Sequence, residues 1–224
     1  MLDANFSFIN EEFHAESVLP RQLDLLLADG WRHFGGHFFR YNLGFYDLDI
    51  RRVIPLRIRL VDFSFSKSQR RVLRKNADLR ILINQLAIES GDVELFHRHK
   101  QRFKGGVPNS ITDFLGVNAS PVDTKEMRVF EAEKLCSVSY FDVGEKTVSG
   151  VYAMFEPEIV SRSLGIFTML KEIEFAIENE KEFYYLGYSY EGNSFYDYKK
   201  RFRATEMFDW EGGWLHFPKT EDEM

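Results

Sequence analysis

Ser161-Arg162-Ser163-Leu164-Gly165-Ile166-Phe167 opens a run that continues through Phe183-Tyr184-Tyr185-Leu186-Gly187-Tyr188-Ser189-Tyr190 to Asp197-Tyr198-Lys199-Lys200-Arg201-Phe202-Arg203. Apolar spacing predicts an amphipathic helix over 163–178, then a strand over 183–190 and a helix over 195–202. An Arg-x-x-Gly turn at a helix start presents backbone N–H groups with no partner inside the helix, which suits an anion. Arg162, Ser163 and Gly165 are therefore candidate substrate-binding residues, and the order suggests an acyl-transfer site with a basic, Tyr-rich clamp. With regular alternation Tyr184, Leu186 and Tyr188 share one face of the strand and Tyr185 and Gly187 the other.

Upstream of this run, residues 127–155 read as a meander of two or three strands turning at Gly144-Glu145-Lys146. Earlier still, Leu19 to Asp29 has helical spacing and stops at Gly30. Phe38 to Tyr41 and Val53 to Phe63 read as strands, the second with Leu56, Ile58 and Leu60 alternating against Arg57 and Arg59. Ser66 with Gln69 three residues on has capping-box spacing for a short helix through Lys75. Leu79 to Asn84 reads as a strand, Val93 to Phe103 as a helix ending at Gly105-Gly106, and Ile111 to Leu115 as a short segment. Glu206 to Phe217 supplies one or two closing strands, and the acidic tail after Pro218 is expected to fray.

A chain of 224 residues with 44% apolar and 16% aromatic residues can bury a sizeable core, which argues against disorder. No apolar run approaches the ~18–20 residues needed to span a bilayer, and the N-terminus lacks the basic start of a signal peptide; a cytoplasmic protein without membrane contact is expected. The single cysteine, Cys136, sits in a strand-like setting and reads as a packing residue. A net charge of −6 opposes global binding to polyanions, so nucleic acid must be met by a local patch.

Lys67, Arg70, Arg71, Arg74 and Lys75 supply such a patch, because the first four share one face of a short helix that carries no interleaved acids. Tyr184, Tyr185, Tyr188, Tyr190, Tyr196 and Tyr198, with Trp210 and Trp214, can stack on a base, line a peptide cleft or simply fill a core. Lys199 and Arg203 stand four apart and on a helix converge on one anion beside Tyr188. The histidines suggest less. His97 and His99 diverge on a helix, while His33 and His37 flank Gly35-Gly36 and could converge in a turn. No third ligand stands at metal spacing, and no nucleophile elbow, Walker loop or dinucleotide fingerprint occurs, so neither metal nor cofactor is expected.

Taken in order, Gly30-Trp31-Arg32-x-x-Gly35, Ile54-Pro55-Leu56-Arg57, Ser66 to Asn76, Ser161 to Gly165 with its Leu-Lys-Glu-Ile-Glu helix, Tyr185 to Tyr188, Tyr198-Lys199 and Arg201-Phe202-Arg203-x-x-Glu206 resemble the arginyl-tRNA protein transferase family over nearly the whole chain. The resemblance implies an α/β (α+β) GNAT-like acyltransferase fold with a mixed, largely antiparallel sheet. It also implies an N-terminal transferase-like half over 1–90 and a C-terminal GNAT-like half over 91–224. The activity implied is movement of an amino acid, arginine, from aminoacyl-tRNA to the N-terminal amine of an acceptor protein with an acidic first residue. Arg162 and the turn after it would hold an anion, and Lys67 to Lys75 the tRNA. Tyr198 and either Lys199 or Arg203 would meet the acceptor, and Tyr188 or Glu206 would accept its proton.

The chain also departs from that family. Cysteines expected around residues 42–52 are replaced by Leu43-Gly44-Phe45-Tyr46-Asp47-Leu48-Asp49-Ile50, so composition excludes a cysteine-held zinc or iron-sulfur site there. A Tyr-His-x-Pro motif appears as Phe155-Glu156-Pro157, and Ala204 replaces a proline. Two rival readings stand beside the transferase: an acyl-CoA-dependent N-acyltransferase, disfavoured by the bulk of Phe167 where a small residue would be needed, and a non-catalytic adaptor that recognises acidic N-termini.

Overall fold

The structure, a computed structural model, describes residues 7–103, 108–116 and 120–218. The expected helix end at Gly105-Gly106 and the tail after Pro218 lie outside the described residues. In chain order the elements are β1 (Asn10–His14), α1 (Pro20–Ala28), β2 (Arg32–Phe34), β3 (His37–Tyr41), β4 (Leu43–Tyr46), β5 (Asp49–Arg59), α2 (Lys67–Lys75), β6 (Arg80–Gln85), α3 (Ser90–His99), α4 (Thr112–Leu115), β7 (Thr124–Glu131), β8 (Lys134–Val143), β9 (Thr147–Phe155), α5 (Leu164–Glu178), β10 (Phe183–Tyr190), β11 (Thr205–Phe208) and β12 (Trp214–His216). Short 3-10 turns cover Leu60–Asp62, Lys100–Arg102, Pro157–Arg162 and Phe195–Arg201.

Nine strands form one mixed sheet in the order β12-β11-β5-β10-β9-β8-β7-β6, with β4 paired to the start of β5. All pairs are antiparallel except β9 with β10, which α5 connects. The 1–90 and 91–224 portions share this sheet, since β5 lies between β10 and β11 and β6 pairs with β7. A second sheet of three strands, β1-β3-β2, is not strand-paired with it.

Alternation along the strands divides the core by face. Leu56 and Ile58 of β5, Met127 and Val129 of β7 and Phe141 of β8 pack under α5 with its Leu164, Phe167, Leu170, Ile173 and Ala176. Burying each such aliphatic or aromatic side chain contributes roughly 1.5–3 kcal/mol. On the opposite face Val138 and Tyr140 pack under α3, and Tyr185 packs with Leu23 and Leu27 of α1 and Phe38 of β3. Phe167 is thus a packing residue of the core. Cys136, also in this core, is the extra residue of a bulge on β8.

Local chemistry sets the element ends that matter for the site. The expected capping box forms: Ser66 Oγ accepts from the Gln69 N–H at 3.2 Å, and Gln69 Oε1 accepts from the Ser66 N–H at 2.8 Å. The cysteine-free segment folds as the β4–β5 hairpin, its two turn residues Asp47 and Leu48 at φ 51° and 62°. Positive φ at both positions matches the right-handed twist of the strands.

Candidate functional site

The parallel strands β9 and β10 stay paired for only three residues, Phe183 with Thr147, Tyr184 with Val148 and Tyr185 with Ser149. Immediately beyond, each carries one surplus residue relative to its other neighbour. On β9 it is Val151, opposite the Tyr140–Phe141 step of β8; on β10 it is Leu186, opposite the Leu56–Arg57 step of β5. A bulge bends its strand locally, and the pairing of β9 with β10 ends here, leaving a split between them. Gly187, at φ +82°, follows the bulge, a conformation that an L side chain adopts with strain.

The bulge also changes which tyrosines face where. Tyr184 and Leu186 join the core under α5, but Tyr188 falls on the face of Tyr185. There its hydroxyl donates to Gly30 O at 2.7 Å, and its ring meets Phe39, Tyr41 and Trp210. The regular alternation expected for Tyr184, Leu186 and Tyr188 fails because Leu186 adds one residue to the count.

Two cations enter the split. Arg32 of β2 donates from Nη1 to Ser149 Oγ and from Nη2 to Gly150 O, each at 2.6 Å, taking up a carbonyl just beyond the last β9–β10 residue pair. Lys199, from the turn after β10, donates to Tyr188 O at 3.1 Å. They lie close together over Gly187, where a Cβ would stand 3.4 Å from Lys199 Nζ and 3.6 Å from Arg32 Nη2. Neither is ion-paired among the described residues. Burial, with the neighbouring Arg32 charge, pulls Lys199 down to about 7, and burial lowers Arg32 as well.

Glu172 of α5 backs the split from the other face of the sheet. It is 3% exposed and accepts from the Tyr184 hydroxyl at 2.6 Å. Burial pushes this carboxyl up to about 7. Tyr198 lies near enough to feel the Glu172 charge, and burial pushes its phenol up to about 12.

Beside Arg32, His33 is held rigidly. Its Nε2 lies 2.9 Å from Asp142 Oδ2 and its Nδ1 2.9 Å from Gly35 O, while Asp142 Oδ1 accepts from Thr124 at 2.7 Å. Burial opposes charge on the ring, but Asp142 outweighs it and raises the pKa. Gly35 O can only accept, so Nδ1 carries a proton, the Asp142 carboxylate favours a second on Nε2, and the ring pins β2 to β8. His37 bonds Glu12 instead, so His33 and His37 do not converge.

The residues singled out in the sequence are placed as follows. Arg162 does not offer its guanidinium to a ligand: it pairs bidentately with Asp78 at 3.0 Å and also with Glu131. Ser163 adopts a left-handed conformation at φ 54° and makes no side-chain cap, and Gly165 packs against Phe155. Glu206 pairs with Arg57 Nε at 2.7 Å, and that guanidinium lies between the rings of Phe183 and Trp214, so Glu206 is tied up across β5 rather than beside Tyr188. Tyr188 is not set up to receive a proton either, since its own is committed to Gly30 O, a carbonyl that cannot take it over. Lys199 and Arg203 do not converge: the 3-10 turn ends at Arg201, Phe202 inserts into the core, and Arg203 reaches Ser64 at 2.9 Å.

On α2, Lys67, Arg70, Arg71, Arg74 and Lys75 are all exposed, while Val72 and Leu73 pack inward. Arg70 bonds Phe65 O and Lys75 bonds Ser161 O at 2.6 Å; none of the five is ion-paired among the described residues. Asn76 at the helix end donates to Arg162 O at 2.9 Å. Thus α2 docks where α5 begins, at the end of the sheet toward which β9 and β10 part. In the sequence Arg32 and Glu172 stand only inside longer motifs and Tyr184 only among the aromatics, with no role of their own. For Glu172 a signal exists, a carboxylate in the buried i, i+4 stripe Leu164, Thr168, Glu172, Ala176.

A family model described as "Arginine-tRNA-protein transferase, C terminus" matches residues 91–209. An aspartate/glutamate leucyltransferase of Marinobacter nauticus is 32% identical over 219 residues, covering 95% of this chain and 88% of the relative. One of Stenotrophomonas maltophilia is 31% identical over 195 residues, covering 83% and 76%. Among solved structures, FemX aligns with a TM-score of 0.49 at 10% identity, over 77% of this chain and 61% of that one. The C-terminal domain of a putative lysylphosphatidylglycerol synthetase from Agrobacterium fabrum aligns at 0.48 and 14%, over 62% and 49%. On the family match and the breadth of the Marinobacter alignment, the chain belongs to the arginine-tRNA-protein transferase family, and it is an aminoacyltransferase.

Proposed function

We propose that this enzyme moves leucine from leucyl-tRNA to the α-amine of a protein whose first residue is aspartate or glutamate, and that the β9–β10 split is where ester and amine meet. The observation that carries this is the pair Arg32 and Lys199, two cations in the split with no ion-pair partner among the described residues. A carboxylate reaching them gains charge-assisted hydrogen bonds, and its charge favours protonated Lys199. Leucine replaces arginine because the relatives are named leucyltransferases. The exposed cations of α2, extended by Arg203 beside Ser64, suit tRNA phosphates at the same end of the sheet.

Aminolysis of an activated ester asks little covalent help; the enzyme has to align the amine, manage its proton and stabilise the oxyanion. The order of meander, α5 and parallel β10 supports a GNAT-like acyltransferase, working where charged tRNA is, in the cytoplasm. To test this, leucyl-tRNA, arginyl-tRNA and acetyl-CoA are each offered with peptides that begin with Asp, Glu or Asn. The expected product is leucyl-Asp or leucyl-Glu peptide. Preferential arginine or acetyl transfer would assign a different donor, equal use of the Asn peptide would remove the cation pair from acceptor choice, and peptide binding without transfer would favour an adaptor.

A further inference from the structure

We propose that Glu172, reached through the Tyr184 hydroxyl, takes the proton that the acceptor's α-ammonium must lose. The inference rests on the transferase reading above and adds the proton-handling group to it. Four observations support it. Glu172 is the buried carboxyl of α5 that faces the split, and its partner Tyr184 Oη lies 2.6 Å away. Gly150, on β9 just past the last β9–β10 pair, brings the backbone against both: a Cβ there would stand 2.8 Å from Tyr184 Oη and 3.3 Å from Glu172 Oε2. Arg32 holds the carbonyl of the same glycine at 2.6 Å, so cation and carboxyl address one peptide unit from its two sides. Finally, neither Tyr184 nor Glu172 is tied to a cation among the described residues, in contrast to Glu206 with Arg57.

The groups around this carboxyl are few. On β10 Tyr184 donates to it; on β8 the Ser139 hydroxyl faces it with no other partner among the described residues, and Asp142 lies further off. Tyr198 approaches from the turn after β10, and Lys171 and Glu174 of its own helix pair with each other. Burial and Asp142 favour the neutral acid, while Tyr184 and Ser139 favour the carboxylate, and the balance near 7 matches an α-ammonium of ~7.7–8.0.

In the step itself, the ammonium gives one proton to Tyr184 Oη as the phenol proton passes to Glu172. The amine lone pair then forms the C–N bond at the ester carbonyl. Collapse of the tetrahedral intermediate breaks the C–O bond to the ribose, and the second amine proton goes to that oxygen, leaving an amide and free tRNA. Glu172 releases its proton to solvent before the next cycle.

The test is kcat/KM for leucine transfer to an Asp-first peptide across pH 6–9, in wild type and in Glu172→Gln, Tyr184→Phe and Lys199→Met. Wild type should give a bell, rising with ionisation of Glu172 near 7 and falling as Lys199, which meets the acceptor carboxylate in its protonated form, loses its charge. Glu172→Gln should lose about 100-fold or more, its rise then following deprotonation of the free peptide instead. Tyr184→Phe should lose comparably, with any remaining acid limb moved to higher pH because the carboxylate has lost a donor. An acid limb near 7 that survives Glu172→Gln and disappears in Lys199→Met would assign that titration to Lys199 and overturn the proposal, as would near-wild-type rates in both Glu172→Gln and Tyr184→Phe. A variant that fails to fold leaves the other variants and the wild-type bell to decide, and a wild type with no acid limb also overturns it. If wild type transfers nothing from any charged tRNA, the transferase reading falls as well; the other failures remove only the role of Glu172.

Discussion

Arg162 and Arg32 are the same residue in two electrical situations. Arg162 sits in the motif that looks most like an anion site, yet Asp78 and Glu131 already neutralise it. Arg32 lies in a three-residue strand and is held by a hydroxyl and a carbonyl, which fix the guanidinium without cancelling its charge. An arginine is available to a ligand according to what already holds it, and a motif says nothing of that. Hydrogen bonds to neutral acceptors orient a cation and leave its net charge for an incoming anion.

The two arginines should differ most in turnover. Arg32→Met should lower kcat/KM for an Asp-first peptide by ~100-fold or more, in keeping with the loss of a desolvated charge-assisted contact; Arg162→Met should stay within about 3-fold. Equal losses in steady-state assays would mean that the ion pairs do not retire Arg162. Next comes α2, which shares the surface of Arg162 but lacks its carboxylates. Replacing Arg70, Arg71 and Arg74 by Ala should weaken tRNA binding and flatten the log K against log salt slope by ~0.7–0.9 per lost phosphate contact. An unchanged slope would make this helix ordinary solvated surface.

Stability should separate the two regions in the opposite sense. The Glu172 pKa is raised in the folded state, so its contribution is fully present below its unfolded value and is lost as pH rises through about 7. Glu172→Gln should therefore melt at or above wild type at pH 8, whereas Arg162→Ala should lose about 2–4 °C at that pH; scanning calorimetry on both decides. The smallest expected signal is a proton. An acidic peptide that meets Lys199, lowered to about 7, should draw in a fraction of a proton at pH 7, seen as a buffer-dependent binding enthalpy that Lys199→Met removes.

Much of the scaffold was legible in the sequence. The strand Phe183–Tyr190, the helix Leu164–Glu178 and the capped start of α2 lie where apolar spacing and the Ser66–Gln69 pair place them. Those signals are local, and the elements obey them. The site is less legible because its determinants are not local. Asp78 and Glu131 lie 84 and 31 residues from the arginine they occupy, and Arg32 crosses 117 residues to Ser149. The pairing of Lys199 with Arg203 fails for a different reason, since the 3-10 turn carrying Lys199 stops at Arg201. Tyr188 was misplaced by one residue of parity, a quantity that alternation alone does not reveal.

That one residue bears on how such a site can be lost. Leu186 and Val151 are additions to strands whose pairing would otherwise run on in step. Deleting either would shorten the chain and mend the sheet, leaving a more regular strand beside its neighbour. The split is therefore open to erosion by small deletions that no scan of substitutions would sample, and a chain that has closed it could keep Arg32, Lys199 and Glu172 intact with no gap for them to serve.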